Sequence, residues 1–165
     1  MKILKKIHLT NWHYINFYTM ELNRELNFFT GHSGSGKSTI VDALQLVLLG
    51  DTRGEYFFNK AAREDADRRL IEYLRGMQSE TEHETKYLRN TNFSTYIVLE
   101  FLDTKKNTPF CLGIVFDVDT KLNSYNHIHF YINEKLSEDK YLENEIPLTI
   151  KQFRLKYKTK AQLYN

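Results

Sequence analysis

The sequence predicts an α/β fold: a mixed sheet packed on one buried helix and partly wrapped by an antiparallel meander. Three observations carry this. An apolar run over residues 26–30, LNFFT, leads into a glycine-rich loop and then a helical stretch, STIVDALQLVLL. From residue 93 the hydrophobic period changes to two, the signature of half-buried strands. The connections there, TKKNT and TKLNS, are short. Short connections suit antiparallel neighbours, because a parallel pair needs a crossover of about a dozen residues or more.

Taken in order, residues 3–10 (ILKKIHLT) read as a strand that Asn11 ends, and 15–22 (INFYTMEL) alternate well enough for a second. Asn23 and Arg24 form a turn. Residues 26–30 read as a buried strand. In the following helix the apolar positions cover nearly the whole circumference, with Asp42 and Gln45 on one side, so it is expected to be buried on most faces. Gly50 is placed to end it. Residues 50–62 read as loop, 63–75 as a charged amphipathic helix and 76–92 as a polar, flexible connection. Residues 93–103, 109–119 and 125–132 are the meander strands. The tail from about 148 is basic and expected to be helical.

The 165 residues suit one domain large enough to bury a core without staples. With 27% charged and 41% hydrophobic residues, the chain is neither disordered nor a membrane protein by composition. The strongly apolar stretch 40–49 falls short of the roughly 20 residues needed to span a bilayer. The N-terminus lacks the apolar region of a secretory signal. The single cysteine, Cys111, fits a reducing compartment, and a cytoplasmic location is expected. A net charge of +2 neither requires nor excludes nucleic acid.

The loop spells Gly31-His32-Ser33-Gly34-Ser35-Gly36-Lys37-Ser38, which matches G-x-x-x-x-G-K-[ST]. Successive backbone N–H groups must turn inward toward phosphate oxygens, and glycines at 34 and 36 permit the dihedrals and the close approach. Lys37 reaches the β- and γ-phosphates. Ser38 is the expected Mg²⁺ ligand. The helix that starts there adds its free amides and the positive end of its dipole. Ser33, Ser35 and Thr39 complete the phosphate-lining set. These residues predict a P-loop nucleoside-triphosphatase fold that takes ATP and Mg²⁺. The rest of the reading makes residues 1–62 the P-loop core, 63–92 a helix and polar loop, 93–135 antiparallel strands and 136–165 a basic tail.

Hydrolysis needs more. An acidic residue at the end of a second buried strand must hold Mg²⁺, often beside a glutamate that activates water. Ile114-Val115-Phe116-Asp117 and Ile97-Val98-Leu99-Glu100 have part of that form, but neither has an adjacent acidic pair. Both lie in the meander, where Asp117 reads better as a strand-end residue. No catalytic residue is therefore assigned, and nucleotide binding with little turnover is expected of the isolated chain.

Several stretches together resemble a family. Asn11-Trp12-His13-Tyr14, then GHSGSGKSTIVDALQLVLLGDTRG, then YFFNKAA (56–62) and YLRNTNFSTYIVLEF (87–101) are similar to the N-terminal head lobe of SMC-like ATPases, in the branch of MukB, MksB and the Wadjet subunit JetC. The resemblance covers most of residues 1–135. It implies an ABC/SMC-head type of N-terminal lobe. A long coiled coil would lead from the basic tail to a C-terminal lobe carrying the acidic strand and the capping motif, and no LSGG-like capping stretch is present here. It implies a DNA motor in which two heads dimerise on ATP, with kleisin-like and accessory subunits, at the nucleoid. Chromosome organisation and plasmid defence by loop extrusion both remain open. The alternatives are a free-standing small P-loop kinase or NTPase using Asp117 at Mg²⁺, and an interaction domain with a relic loop.

Further candidates carry less. Arg53 lies where SMC-type heads place an arginine near nucleotide or DNA, and it is set against a solvated loop residue. Asn59 and Lys60 follow in the same loop. Trp12, His13 and Tyr14 either border the adenine or pack in the core, and His13 is taken as a nucleotide contact. His32 matters through its backbone. His127 and His129 share a strand face, but no third metal ligand is evident. Cys111 reads as packing. Residues 151–160, KQFRLKYKTK, either touch phosphate backbones or form a solvated helix face.

Overall fold

A computed structural model describes residues 1–50, 70–81 and 84–164. Arg53, Asn59, Lys60, the stretch 56–62 and the first part of the expected 63–75 helix lie outside the described residues.

Strands β1 (Lys2–Trp12) and β2 (Ile15–Glu21) form a hairpin closed by the turn His13-Tyr14, with Trp12 paired to Ile15. The glycine-rich loop then feeds helix α1 (Lys37–Leu49). Gly50 ends α1 in the left-handed region at φ 66°, its N–H on Leu46 O, as the sequence predicts. Helix α2 (Leu70–Arg75) is followed by a small hairpin, β3 (Met77–Glu80) and β4 (Thr85–Tyr87). The meander follows as β5 (Phe93–Asp103), β6 (Thr108–Asp119) and β7 (Ser124–Ile132). A 3₁₀ turn and the two-residue strands β8 (Leu142–Glu143) and β9 (Ile146–Pro147) lead to α3 (Ile150–Lys156) and β10 (Ala161–Tyr164).

The main sheet has six strands in the order β10-β7-β6-β5-β1-β2. Every pair in it is antiparallel. The parallel component expected of a mixed sheet is thus not among the described residues. Alternation along the strands sends one set of side chains to each face. Ile7, Leu9, Ile97, Leu99, Ile114 and Phe116 meet Ala43, Leu46 and Val47 of α1 and Leu70 and Leu74 of α2. The other face carries Tyr96, Val98, Val115, Ile128 and Phe130, covered by Tyr141, Phe153 and Tyr157. Rings of Phe130 and Phe153 lie 4.7 Å apart, and those of Phe153 and Tyr157 4.8 Å, in tilted contacts worth more than area alone.

Four sequence expectations are corrected. Residues 26–30 form no strand, and Leu26 and Phe28 are 61% and 80% exposed. A strand that is apolar on successive positions needs neighbours on both sides, and none pairs with it among the described residues. Helix α1 is exposed along one side only, but that side carries Val41, Leu48 and Leu49, whereas Asp42 is buried. The polar stretch 76–92 is not a featureless connection, because β3 and β4 pair there. The tail is only briefly helical. It turns back, and β10 pairs with β7 through Ala161↔Ile132 to Tyr164↔His129.

Local chemistry explains where α3 begins. Thr149 and Gln152 form a reciprocal capping box, and both carboxylate oxygens of Asp117 accept from Ile150 N at 3.0–3.1 Å.

Candidate nucleotide-binding site

The loop is shaped by its glycines. Gly34 and Gly36 sit at φ 81° and 86°, and beyond its chain neighbours a Cβ at either would meet no atom of the described residues within 4 Å. The backbone dihedral, not crowding, therefore demands glycine. Gly31 is different: a Cβ there would lie 2.5 Å from Ser35 Oγ. Gly36 is also the N-cap of α1 and brings no side chain, so it offers no capping acceptor to the first-turn amides. Such amides suit an anion from outside the chain. Lys37 Nζ folds over the loop and donates to Gly31 O at 2.7 Å, His32 O at 2.8 Å and Ser35 Oγ at 3.1 Å. Its charge is thus held at the rim of the loop. His32 takes part in this arrangement through its carbonyl.

The loop forms one wall of a cleft of about 900 Å³. Ser33, Gly34, Ser35, Gly36, Lys37, Ser38 and Thr39 all line it, and so does His13 from the β1–β2 turn. All the proposed nucleotide-contacting residues that are described therefore border one space. Tyr14, Asn16 and Tyr18 extend the wall, and Asp42 and Tyr73 form its floor.

Trp12 does not line the cleft. It is fully buried, and its indole Nε1 donates to Thr39 O at 2.8 Å. The core alternative applies to it, and the bond pins the hairpin to the first turn of α1. Asp42 follows Ser38 by one helical turn, so the two share a face. The carboxylate is 4% exposed and accepts from Tyr73 Oη at 2.9 Å. Tyr73 lies 4.1 Å from the His13 ring and 4.8 Å from the Trp12 ring, centroid to centroid. The two walls are thus joined through α2.

His13 adopts φ 51°. A left-handed conformation costs a side-chain-bearing residue about 1–2 kcal/mol, and the tight turn with positive φ at its first position favours glycine there. The guanidinium of Arg89 meets that turn. Nη1 donates to His13 O and, at 3.1 Å, to Leu74 O, while Nη2 donates to Ile15 O and Asn16 Oδ1 at 3.1 Å each. Burial pulls the Arg89 pKa down to about 10, still far above neutrality, so the group stays charged.

Asp42, Tyr73 and Arg89 were not singled out in the sequence. Asp42 carried a signal, as a carboxylate one turn after Ser38 on an otherwise apolar helix. Tyr73 and Arg89 carried none, since their partners lie far along the chain.

Asp117 is corrected as a candidate at Mg²⁺. Alternation puts it on the sheet face opposite α1, with Val115. Its oxygens are spent on Ser94 Oγ at 2.8 Å and on the start of α3. Glu100 shares that face and accepts from Leu136 N at 2.6 Å. His127 and His129 stand 5.7 Å apart on β7. Among the described residues no group of three or more His, Cys, Asp or Glu could hold a metal. Cys111 donates to Glu134 O at 3.3 Å, and burial pushes its thiol up to about 12, an inert packing residue. In the basic tail, Lys160 pairs with Glu134 at 2.9 Å and Lys156 donates to Lys140 O at 3.0 Å. No described helix is long and apolar enough to cross a membrane.

The loop, its helix and the sheet define an α/β P-loop nucleoside-triphosphatase fold. Residues 4–65 match the family model of the P-loop containing region of the AAA domain. That match takes in the hairpin, the loop and α1. No curated protein matches the chain. Among solved structures, a chain from work on the structural biochemistry of ATP-driven dimerization and DNA stimulated activation of SMC ATPases is similar at 15% identity and TM-score 0.49. The alignment covers 94% of this chain and 98% of that chain.

Proposed function

We propose that the chain is the ATP-binding N-terminal lobe of an SMC-like DNA motor ATPase. The observation that carries this is the pair of uncovered apolar features flanking the loop. Residues 26–30 lead into the loop as an apolar segment without a ladder partner among the described residues. Val41 and Leu48, seven residues apart, put an exposed apolar stripe on the outer side of α1. A second lobe that adds strands beside 26–30 and covers this stripe would bury both. The same lobe would bring the carboxylates that hydrolysis requires, which the meander does not offer to the loop.

The residues present fit a triphosphate. The glycine dihedrals, the uncapped start of α1 and the Lys37 ammonium all favour an anion at the loop. Lys37 would hold the β- and γ-phosphates. Ser38 would hold Mg²⁺, whose charge offsets that of the phosphates. Arg53, three residues after Gly50 in the sequence, would add a cation near nucleotide or DNA. In the whole protein, two such heads would engage on ATP and act on DNA with kleisin-like and accessory subunits, in chromosome organisation or plasmid defence in the cytoplasm.

The test is calorimetric titration of the purified chain with ATP and Mg²⁺. Saturable binding that is lost in Lys37→Ala supports the reading. Binding that survives Lys37→Ala, or no binding by the parent chain, refutes it.

A further inference from the structure

We propose that Arg89 is the positioning residue of the base-side wall of the cleft: it sets how tightly the nucleoside part of a triphosphate is held, while the phosphate loop keeps its own affinity without it. The inference rests on the reading of the cleft as a nucleotide site.

The two walls are joined through Tyr73 and Trp12, but each is shaped by its own set of groups. The phosphate loop owes its shape to Gly31, Gly34 and Gly36, to Lys37 and to the bond from Trp12 to Thr39 O. The hydrogen bonds of Arg89 go elsewhere, to His13, Leu74, Ile15 and Asn16. The opposite wall is the turn after β1, and Arg89 binds it at His13 O, Ile15 O and Asn16 Oδ1, and ties it to Leu74 O of α2. Those acceptors are split between the two terminal nitrogens of one planar fork. A lysine ammonium is a single point of donation and cannot span both sides. The bond to Asn16 Oδ1 has a second effect. It fixes which way the amide faces, so that Nδ2, a donor, is the group Asn16 can offer to the cleft that it lines. The His13 ring, held between Tyr73 and Tyr14 at 4.1 and 4.0 Å, is set by the same turn. An aromatic surface with one oriented amide donor is suited to a flat, acceptor-bearing heterocycle. The phosphate loop offers nothing of that kind.

The experiment compares two probes, ATP and inorganic tripolyphosphate, each titrated with Mg²⁺ into the parent chain, Arg89→Lys, Arg89→Met and Asn16→Ala. Tripolyphosphate has no nucleoside and reads the loop alone. In both Arg89 variants we expect ATP affinity to fall by about tenfold or more while tripolyphosphate stays within about twofold, because the lost contacts act only on the base side. In Asn16→Ala, an exposed position that leaves the arginine in place, a smaller loss for ATP alone is expected. A parallel fall for both probes, or no change for either, overturns the proposal. Should Arg89→Met fail to fold, Arg89→Lys and Asn16→Ala decide by the same comparison. A parent chain that binds neither probe refutes the nucleotide reading itself, and one that binds tripolyphosphate as tightly as ATP refutes only the role of Arg89.

Discussion

Trp12 and Thr39 are joined across 27 residues of sequence by one buried hydrogen bond, indole Nε1 to backbone carbonyl at 2.8 Å. It fixes the end of β1 against the first turn of α1, where Thr39 follows Ser38 of the phosphate loop. Trp12 to Phe keeps the aromatic contact with Tyr73 but removes the donor and leaves a gap in the core. A loss of about 1–3 kcal/mol is expected, read as a lower urea midpoint with an unchanged slope. An unchanged midpoint would show that the bond contributes nothing.

Gly113 lies in β6 against the ring of Phe130. A Cβ there would come within 2.2 Å of Phe130 Cζ. Phe130 is 2% exposed and packed on Phe153, so it has little room to yield. Gly113→Ala is expected to cost about 1–3 kcal/mol through overpacking. Adding Phe130→Leu, which removes the far end of the ring, should recover part of that loss. A fully additive double variant would contradict the account.

His127 and His129 should make stability depend on pH. Burial lowers the pKa of both in the folded chain, and for His129 the neighbouring imidazole adds to the shift. The unfolded chain, with values near about 6.5, binds protons first. Stability is then full above that pH and declines as pH falls through the lowered folded values. Unfolding at pH 7.5 and 5.5 measures the drop. The double variant His127→Gln/His129→Gln should show a smaller one, and an equal drop would exclude the pair as its source.

Phe28 is 80% exposed in the segment before the loop. Phe28→Ser is therefore expected to change the stability of the chain by no more than about 0.5 kcal/mol. Under the proposed function the same change should abolish binding of the second lobe, because an apolar strand position would become polar. Pull-down with that lobe checks the second half. A destabilised chain would mean that residues 26–30 are packed in a way their exposure does not reveal.

Local patterns made much of this legible. The period-two stretches gave β5, β6 and β7 within a residue or so, and the glycine-lysine spacing placed the loop and α1. The failures have a common cause. Residues 26–30 look like a buried strand because they are apolar, yet burial is a property of neighbours, and no described neighbour is there. The outer side of α1 misled in the same way. Strand β10 was missed because Ala161–Tyr164 is short and follows a run of lysines, so its pairing with β7 has no local signature. The cleft's second wall was half visible. His13 stood out beside Trp12 and Tyr14, but Arg89 is an ordinary arginine in a polar stretch until the fold brings four acceptors to it.

The central claim is that these residues hold a nucleoside triphosphate without the groups that split it. The most direct measurement incubates the chain with labelled ATP and Mg²⁺, isolates the bound nucleotide and identifies it over time. The account predicts bound ATP that stays ATP in the chain alone. Bound label that converts steadily to ADP over repeated turnovers would contradict it.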